Sequence, residues 1–379
     1  MSAPLRAVVI GAGWAGEGHT IGLRSAGVEV AAICARNVIV VKEVADRLQV
    51  PVASIDWRAT LRELKPDIIS LATPAVLRED VIQEALALGA HIVCEKPLAV
   101  SATEAQRMLN AVEDIGIKHA YAATQAYDPT TSWIQELVQS EAIGRIKAVE
   151  ISAFVPMFHS NSPWTWTFDL SLGGGALHNV LTHFLGILSK VFGSDPIRVM
   201  GESRLGREKA PVIGEIHDWR QSFAILSDEE VAAAEWKSVD ADSSFNAILE
   251  YRTPSGDSFT CTIQFDAMMP FSPTAPYFRI YGERGTIDAK GIFSYDVSIV
   301  NHEGTITKTM PDRLLEGYAD TGNGEQNKWN AFFREFVRDV KGEAYQPYPT
   351  FREGYRDQRI IEVIRSGSGW TSILTGNDS

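Results

Sequence analysis

The sequence predicts two domains: an N-terminal doubly wound parallel α/β sheet, then an α+β domain with a large, mostly antiparallel open sheet flanked by helices. Three observations predict this. The chain opens on an apolar run that breaks into glycines. Its first third alternates short apolar segments with helical ones, and its middle strings strands together with no helices between them. With 379 residues and 45% hydrophobic content, the chain has material for two packed cores.

Ala7 to Ile10 reads as a buried strand and Trp14 to Ala26 as a helix stopped by Gly27. Further strands read at Val28 to Cys34, Asp67 to Leu71, His91 to Cys94 and Ile117 to Ala120, with helices at Val38 to Leu48, Val76 to Leu88 and Thr103 to Ile115. The last helix opens on Ser101-Ala102-Thr103-Glu104, a capping box in which serine and glutamate satisfy each other's orphan donors. The first domain is set at residues 1–125 and the second at 126–379. After Tyr127 come a helix to Gln139, a strand from Ile146 to Phe154, and a loop rich in Trp and Pro that leads to Gly173-Gly174-Gly175. Strands then read at Asn246 to Tyr251, Ser258 to Phe265 and Tyr277 to Tyr281, separated by turns such as Pro254-Ser255-Gly256-Asp257. Two amphipathic helices, Glu325 to Val340 and Arg352 to Arg365, close the chain and are expected to pack back toward the first domain.

The run Gly11-Ala12-Gly13-Trp14-Ala15-Gly16 sits between the first strand and the first helix. Gly11 permits the tight turn, Gly13 lets backbone approach a pyrophosphate, and Gly16 lets the helix pack close to the strand. The diphosphate then rests on free helix N–H groups around Trp14 and Ala15, which makes this half a Rossmann domain that binds a dinucleotide. Ribose recognition belongs at the end of the second strand, where Ala35 stands in place of the usual acid and Arg36 follows. Without a carboxylate to repel a 2′-phosphate, and with Arg36 able to pair with it, NADP(H) is favoured over NAD(H). Glu95-Lys96-Pro97 follows the strand His91 to Cys94, at the carboxyl edge where such sheets bind ligands. Pro97 disfavours helical dihedrals at Lys96 and so aims its ammonium into the cleft. There, near a positive nicotinamide and away from water, the lysine suits proton exchange with an alcohol.

Composition excludes other classes. The net charge is −13 and no Lys/Arg stripe forms, so neither nucleic acid nor an anionic bilayer is a partner. Cys34, Cys94 and Cys261 are widely spaced, which argues against a zinc site or a disulfide framework and fits a reducing cytoplasm. The N-terminal apolar run is short and cut by glycines, so no secretory leader is expected, and no stretch reaches the roughly 20 apolar residues of a membrane span.

Together, the glycine turn, Thr73-Pro74, Glu95-Lys96-Pro97, the run Gly173 to His183 and the tail Tyr348 to Gly354 resemble the glucose-fructose oxidoreductase, inositol dehydrogenase and rhizopine catabolism protein family over essentially the whole chain. The resemblance implies NAD(P)-dependent oxidation of a secondary alcohol on a sugar, sugar derivative or cyclitol, or reduction of the matching ketone. It places Lys96 on the reacting oxygen and adds Thr73, Pro74, Glu95, Lys96 itself and Pro97 to the cofactor site. It also implies an Asp and a His four residues apart, and here these are Asn179 and His183. Four-residue spacing puts both on one helix face. His183 is the proton-transfer partner. Asn179 can orient substrate or His183 but cannot stabilise an imidazolium by charge.

Arg78 stands where the family often has His, and Thr124 and Ala126 replace an Asn and an Arg before Asp128-Pro129. These departures are expected near the substrate cleft and are read as an unusual substrate. Trp164, Trp166 and Tyr127 are assigned to the substrate, the indoles as faces on which a pyranose can stack. His159, His178 and His217 are read as bystanders, and Glu215, His217 and Asp218 lack metal-site spacing, so no metal is expected. The leading reading is an NADP-preferring cytoplasmic oxidoreductase. The rival is a catalytically silent NAD(P)-binding sensor, since the family extends to a fungal co-repressor that binds dinucleotide and a protein partner. A homodimer or homotetramer is expected through an apolar face of the second-domain sheet.

Overall fold

The computed structural model describes residues 4–373 apart from 215, 217, 253–255, 317 and 319–320. The first domain runs β1 (Arg6–Ile10), α1 (Trp14–Ser25), β2 (Glu29–Cys34), α2 (Val38–Arg47), β3 (Val52–Ser54), α3 (Trp57–Leu64), β4 (Ile68–Leu71), α4 (Arg78–Leu88), β5 (His91–Cys94), α5 (Ala102–Ile115) and β6 (His119–Tyr121). All its pairings are parallel, in the order β3-β2-β1-β4-β5-β6. The sequence reading missed β3 and α3. β3 is a three-residue edge strand whose side chains are largely exposed, so it carries no apolar period. The capping box is half as expected: Ser101 Oγ accepts the Glu104 N–H at 3.2 Å, but Glu104 Oε2 accepts from Val100, one residue before the cap.

The second domain continues with α6 (Pro129–Gln139), β7 (Ile146–Phe154), α7 (Thr182–Phe192), β8 (Arg198–Arg204), β9 (Lys209–Val212), α8 (Asp228–Ala233), β10 (Glu235–Ser238), β11 (Ser244–Arg252), β12 (Ser258–Asp266), β13 (Tyr277–Gly282), β14 (Thr286–Lys290), β15 (Asp296–Asn301), β16 (Gly304–Thr307), α9 (Gly324–Val340), α10 (Phe351–Ser366) and β17 (Thr371–Ser372). Nine strands form one sheet, β16-β15-β14-β13-β7-β12-β11-β8-β17, in which only the β7–β12 pairing is parallel. β9 and β10 form a separate ribbon. The turn at Pro254 and Ser255 lies outside the described residues.

The inner face of the large sheet buries Phe245, Leu249, Ile263, Phe265, Phe278 and Ile280 against apolar residues of α6, α7 and α10. α9 does something different. Its Trp329, Phe332, Phe333 and Phe336 share a core with Ala7, Val9, Leu23 and Val30 of the first domain. The contact is close because α1 offers glycines there: a Cβ on Gly18 would stand 2.2 Å from the Trp329 ring, and one on Gly22 2.4 Å from Phe333. Residues 324–340 thus pack as a layer of the parallel sheet although they belong to the second domain in sequence.

The outer face of the nine-stranded sheet departs from expectation. It is largely polar rather than apolar: along β11 and β12, where buried and outward residues alternate, Asn246, Glu250, Thr260 and Gln264 face outward between buried neighbours. Nearby, Tyr277 and Tyr281 donate their hydroxyls to the two oxygens of Glu150 at 2.7 and 2.8 Å, and Arg279 binds Asp288 at 2.7 Å. An uncovered apolar face is therefore no argument for self-association here.

Candidate active site

The glycine turn is built as a cradle. Gly11 has φ +121°, and a Cβ there would lie 2.4 Å from the Ala72 carbonyl oxygen; one on Gly16 would lie 1.9 Å from that of Gly11. Backbone bonds from Gly11 N to Cys34 O and from Ala72 N to Ile10 O, both 2.8 Å, hold the turn to the strand ends. α1 begins at Trp14 with Gly13 at its N-cap, which supplies no side-chain oxygen to the first-turn N–H groups. At the end of β4, Thr73 Oγ1 is buried with no hydrogen-bond partner. A glycine cradle, a helix N-terminus capped by glycine and an orphaned hydroxyl on one sheet edge fit a dinucleotide. Past β2, Ala35 is partly buried and Arg36 exposed, while the Asn37 side chain caps α2 by accepting from Ile39 and Val40.

Lys96 lies just beyond β5. Glu95 Oε2 accepts the Lys96 backbone N–H at 3.0 Å, and Glu95 Oε1 lies 3.1 Å from Nε2 of His19, whose Nδ1 is 2.8 Å from Ser70 Oγ. Glu95 is therefore a buried strut between α1 and the lysine loop, and His19 is a member of it that sequence reasoning missed, since a lone histidine on an apolar helix face carries no signal. Desolvation lowers the Lys96 pKa, and Arg78 lowers it further, while Glu95 and Glu325 work the other way.

Arg78 does not face a substrate. It is only 2% exposed, and its guanidinium donates to backbone carbonyls: Nε and Nη2 to Thr73 at 3.0 and 2.6 Å, and Nη1 to Glu95 and Pro97. It ties the Thr73-Pro74 and Glu95-Lys96-Pro97 loops together, so its place near the cleft reflects loop anchoring rather than an altered substrate.

Across the cleft, the Lys96 ammonium donates to the Asn179 carbonyl oxygen at 3.3 Å. Asn179 sits in a π-helical turn, Leu177–Leu181, that opens into α7 one turn before His183. Such turns concentrate at functional sites. The Asn179 amide donates to the Gly175 and Gly173 carbonyls at 2.9 and 3.3 Å, so it braces the glycine loop and does not orient His183. His183 Nδ1 is buried with no partner, and its ring packs edge-on against Phe293 at 5.3 Å. Burial, then the charges of Lys96 and Lys328, hold its pKa well below the ordinary value, so the ring is neutral at pH 7.

Lys328 is a second cation that sequence reasoning missed. It is 3% exposed and donates to Gln125 Oε1 at 2.6 Å and Glu325 Oε1 at 3.0 Å, with Asp128 at 3.7 Å. The replaced positions around Thr124 and Ala126 are thus served by a charge from α9, some 200 residues on.

The aromatic assignments fare differently. Trp164 Nε1 donates to the Ser238 carbonyl at 3.0 Å and Lys237 covers its ring at 3.3 Å, so it is a packing residue of the β9–β10 ribbon. Tyr127 packs on Phe332 at 5.6 Å with its hydroxyl buried and unpartnered, and belongs to the α9 layer. Trp166 is partly buried at the start of a short helical turn. Glu215 and His217 lie outside the described residues, and no metal-binding group of His, Cys, Asp or Glu occurs among the described ones.

His178 is fully buried and structural. Gln358 can only donate from its amide nitrogen, 2.9 Å from His178 Nε2, so the His178 Nδ1–H donates to Gly174 at 2.8 Å. Burial pushes its pKa down to about 3. The unfolded chain, with an ordinary histidine, binds a proton that the fold refuses between pH 6.5 and about 3, so stability falls as pH drops through that window. Asp357, pushed up by burial to about 7, works in the opposite sense. Comparing variants isolates the histidine: between pH 7.5 and 5, the Tm of His178→Gln is expected to fall less than that of the parent, as read by thermal melts.

These features define a Rossmann-type dinucleotide cradle with a buried lysine at the cleft. Residues 5–121 match the oxidoreductase family model with an NAD-binding Rossmann fold, and residues 132–288 match the Gfo/Idh/MocA C-terminal domain. The chain belongs to the Gfo/Idh/MocA oxidoreductase family. It is 28% identical to levoglucosan dehydrogenase of Pseudarthrobacter phenanthrenivorans over 197 residues, which span 49% of this chain and 50% of that one. It is 25% identical to D-xylose 1-dehydrogenase (NADP(+)) 2 of Haloferax volcanii over 306 residues, 81% of each chain. A solved levoglucosan dehydrogenase in complex with NADH and L-sorbose shares the fold at TM-score 0.79 and 21% identity, with 98% of this chain and 99% of that one covered.

Proposed function

We propose that the protein is an NADP-preferring dehydrogenase or reductase acting on a secondary alcohol or ketone of a sugar, sugar derivative or cyclitol. The observation that carries this is Lys96: a desolvated ammonium at the carboxyl edge of β5, brought within 3.3 Å of the turn that leads to His183. When bound, the nicotinamide supplies the hydride acceptor or donor. Lys96 holds and polarises the reacting oxygen. His183, neutral and with an unpartnered Nδ1, takes or returns the proton. Asn179 keeps the glycine loop closed around them, and Arg78 fixes the two loops that frame the cofactor. Substrate names among the relatives, levoglucosan and D-xylose, support the sugar class.

Arg36, exposed beside Ala35 at the end of β2, supports the preference for NADP(H). Arg36→Ala is expected to weaken NADPH binding about tenfold, the worth of one charge-assisted contact, and to leave NADH unchanged, as read by energy transfer from tryptophan to bound nicotinamide. Equal loss for both dinucleotides would refute the role of Arg36. The sensor reading is favoured by one observation, the Asn179 amide spent on glycine carbonyls where the family has a carboxylate. Incubation with NADP+ or NAD+ and a polyol panel, followed by absorbance of the reduced cofactor, separates the two: an enzyme turns over at least one polyol, and a sensor binds and stays silent.

The three cysteines are buried and unpaired, which supports a reducing compartment such as the cytoplasm, and no described helix is long and apolar enough to cross a membrane. Self-association through the nine-stranded sheet would use the Tyr277, Tyr281 and Arg279 surface, residue types that interfaces favour. Light scattering on the purified chain reads it directly.

A further inference from the structure

A segment of the second domain reaches the cofactor turn. The Asp218 side chain caps the short turn Trp219–Phe223, accepting the Arg220 backbone N–H at 2.8 Å. The Arg220 guanidinium returns to the same carboxylate through Nε at 2.8 Å and Nη2 at 2.7 Å, and Nη2 also donates to Glu17 Oε1 at 2.9 Å. Glu17 lies in the first turn of α1 and is held from the other side by Arg47 of α2 at 2.7 Å. On the far side of the segment, Trp219 packs against Phe158 and Phe223 and lines the same small cavity as Asn179.

An acid–arginine pair from one domain is therefore set against the helix N-terminus at which the other domain receives phosphate. That terminus favours an anion through its dipole and its free N–H groups. Partial burial raises the Asp218 pKa, but the Arg220 side chain, then the backbone N–H groups of Arg220 and Trp14, hold it below the ordinary carboxylate range. Trp14 is the first residue of α1 and part of the glycine turn itself.

We propose that the Asp218 carboxylate stands in for the cofactor diphosphate in the free protein, and that Arg220 is a diphosphate-binding residue released to the dinucleotide when it enters. The proposal rests on the dinucleotide reading of the glycine turn. A phosphate oxygen and a carboxylate oxygen accept from the same donors, and a guanidinium fork fits either. The diphosphate carries more charge to the helix terminus than one carboxylate, so it displaces Asp218. The displaced carboxylate then remains nearby as a repulsive charge. Asp218 thus weakens binding and Arg220 strengthens it, and the segment that carries both links cofactor entry to the wall beside Asn179.

The test uses the full chain and two variants, the isosteric Asp218→Asn and the charge-free Arg220→Gln at a half-exposed side chain, with circular dichroism melts as the check on folding. NADH and NADPH are titrated by energy transfer from tryptophan, and adenosine, which has no phosphate, is titrated as a competitor. Asp218→Asn is expected to bind both dinucleotides about fivefold tighter and Arg220→Gln about tenfold weaker, with adenosine affinity the same in all three proteins. Dinucleotide affinities within twofold of the parent in both variants would overturn the exchange, as would weaker binding by Asp218→Asn or an equal shift for adenosine. Failure of the parent to bind either dinucleotide overturns the dinucleotide reading and the exchange together.

Discussion

Lys96→Met is expected to lower kcat for polyol oxidation by roughly 100- to 1,000-fold, the scale of losing a positioned charge at the reacting oxygen, while dinucleotide affinity stays within about threefold. The methionine fills the same space without a proton or a charge, so the loss is chemical rather than steric. The pH profile carries the same assignment. Lys96 polarises the oxygen only while protonated, and desolvation lowers its pKa, so the fall in oxidation rate at high pH is centred below the free lysine value of about 10.4. Glu95 raises that pKa; Glu95→Gln removes its charge, and the limb moves to lower pH still. Steady-state rates across pH on parent, Lys96→Met and Glu95→Gln check all three expectations, and a Lys96→Met enzyme with parental kcat removes lysine from the chemistry.

Arg78→Leu is expected to damage stability and cofactor binding together. The guanidinium satisfies the carbonyls of Thr73, Glu95 and Pro97 in a buried setting, and each carbonyl left without a donor costs about 1–3 kcal/mol. A loss on the order of 3–5 kcal/mol lowers Tm by roughly 5 °C in a chain of this size. Arg78→Lys keeps the charge but offers a point donor instead of a planar fork, so it recovers stability only in part. Thermal melts with and without NADPH read this: the parent is stabilised by the dinucleotide and Arg78→Leu is not. An Arg78→Leu protein with parental Tm and parental cofactor stabilisation would contradict the anchoring role.

What was legible in the sequence was what is local. The glycine turn and Glu95-Lys96-Pro97 carry their geometry within six residues or fewer, and β7, a nine-residue strand, was read to the residue. β3 was invisible because three exposed residues have no period. The expected apolar outer sheet face failed for a related reason: an antiparallel strand with one buried face writes polar residues on the other, and the alternation along β11 and β12 already says so. Arg78 was visible as a departure, but its role depends on carbonyls of residues 73, 95 and 97, which no side-chain pattern records. Glu325 and Lys328 reach the cleft only because α9 folds back onto α1, a contact set by Gly18 and Gly22 against Trp329 and Phe333. Asn179 meets Lys96 through its carbonyl oxygen, while the π-helical turn directs its amide toward the glycine loop instead of His183.

The central claim is that this cleft transfers hydride between nicotinamide and a carbinol carbon under the control of Lys96. The most direct test mixes the protein with reduced cofactor deuterated at the transferring position of C4 and a panel of sugar and cyclitol ketones, then follows the label by mass spectrometry. The account predicts one deuterium on the carbinol carbon of at least one product with the parent protein, and none with Lys96→Met. Tight cofactor binding with no label transferred to any ketone would contradict it and leave the sensor reading in its place.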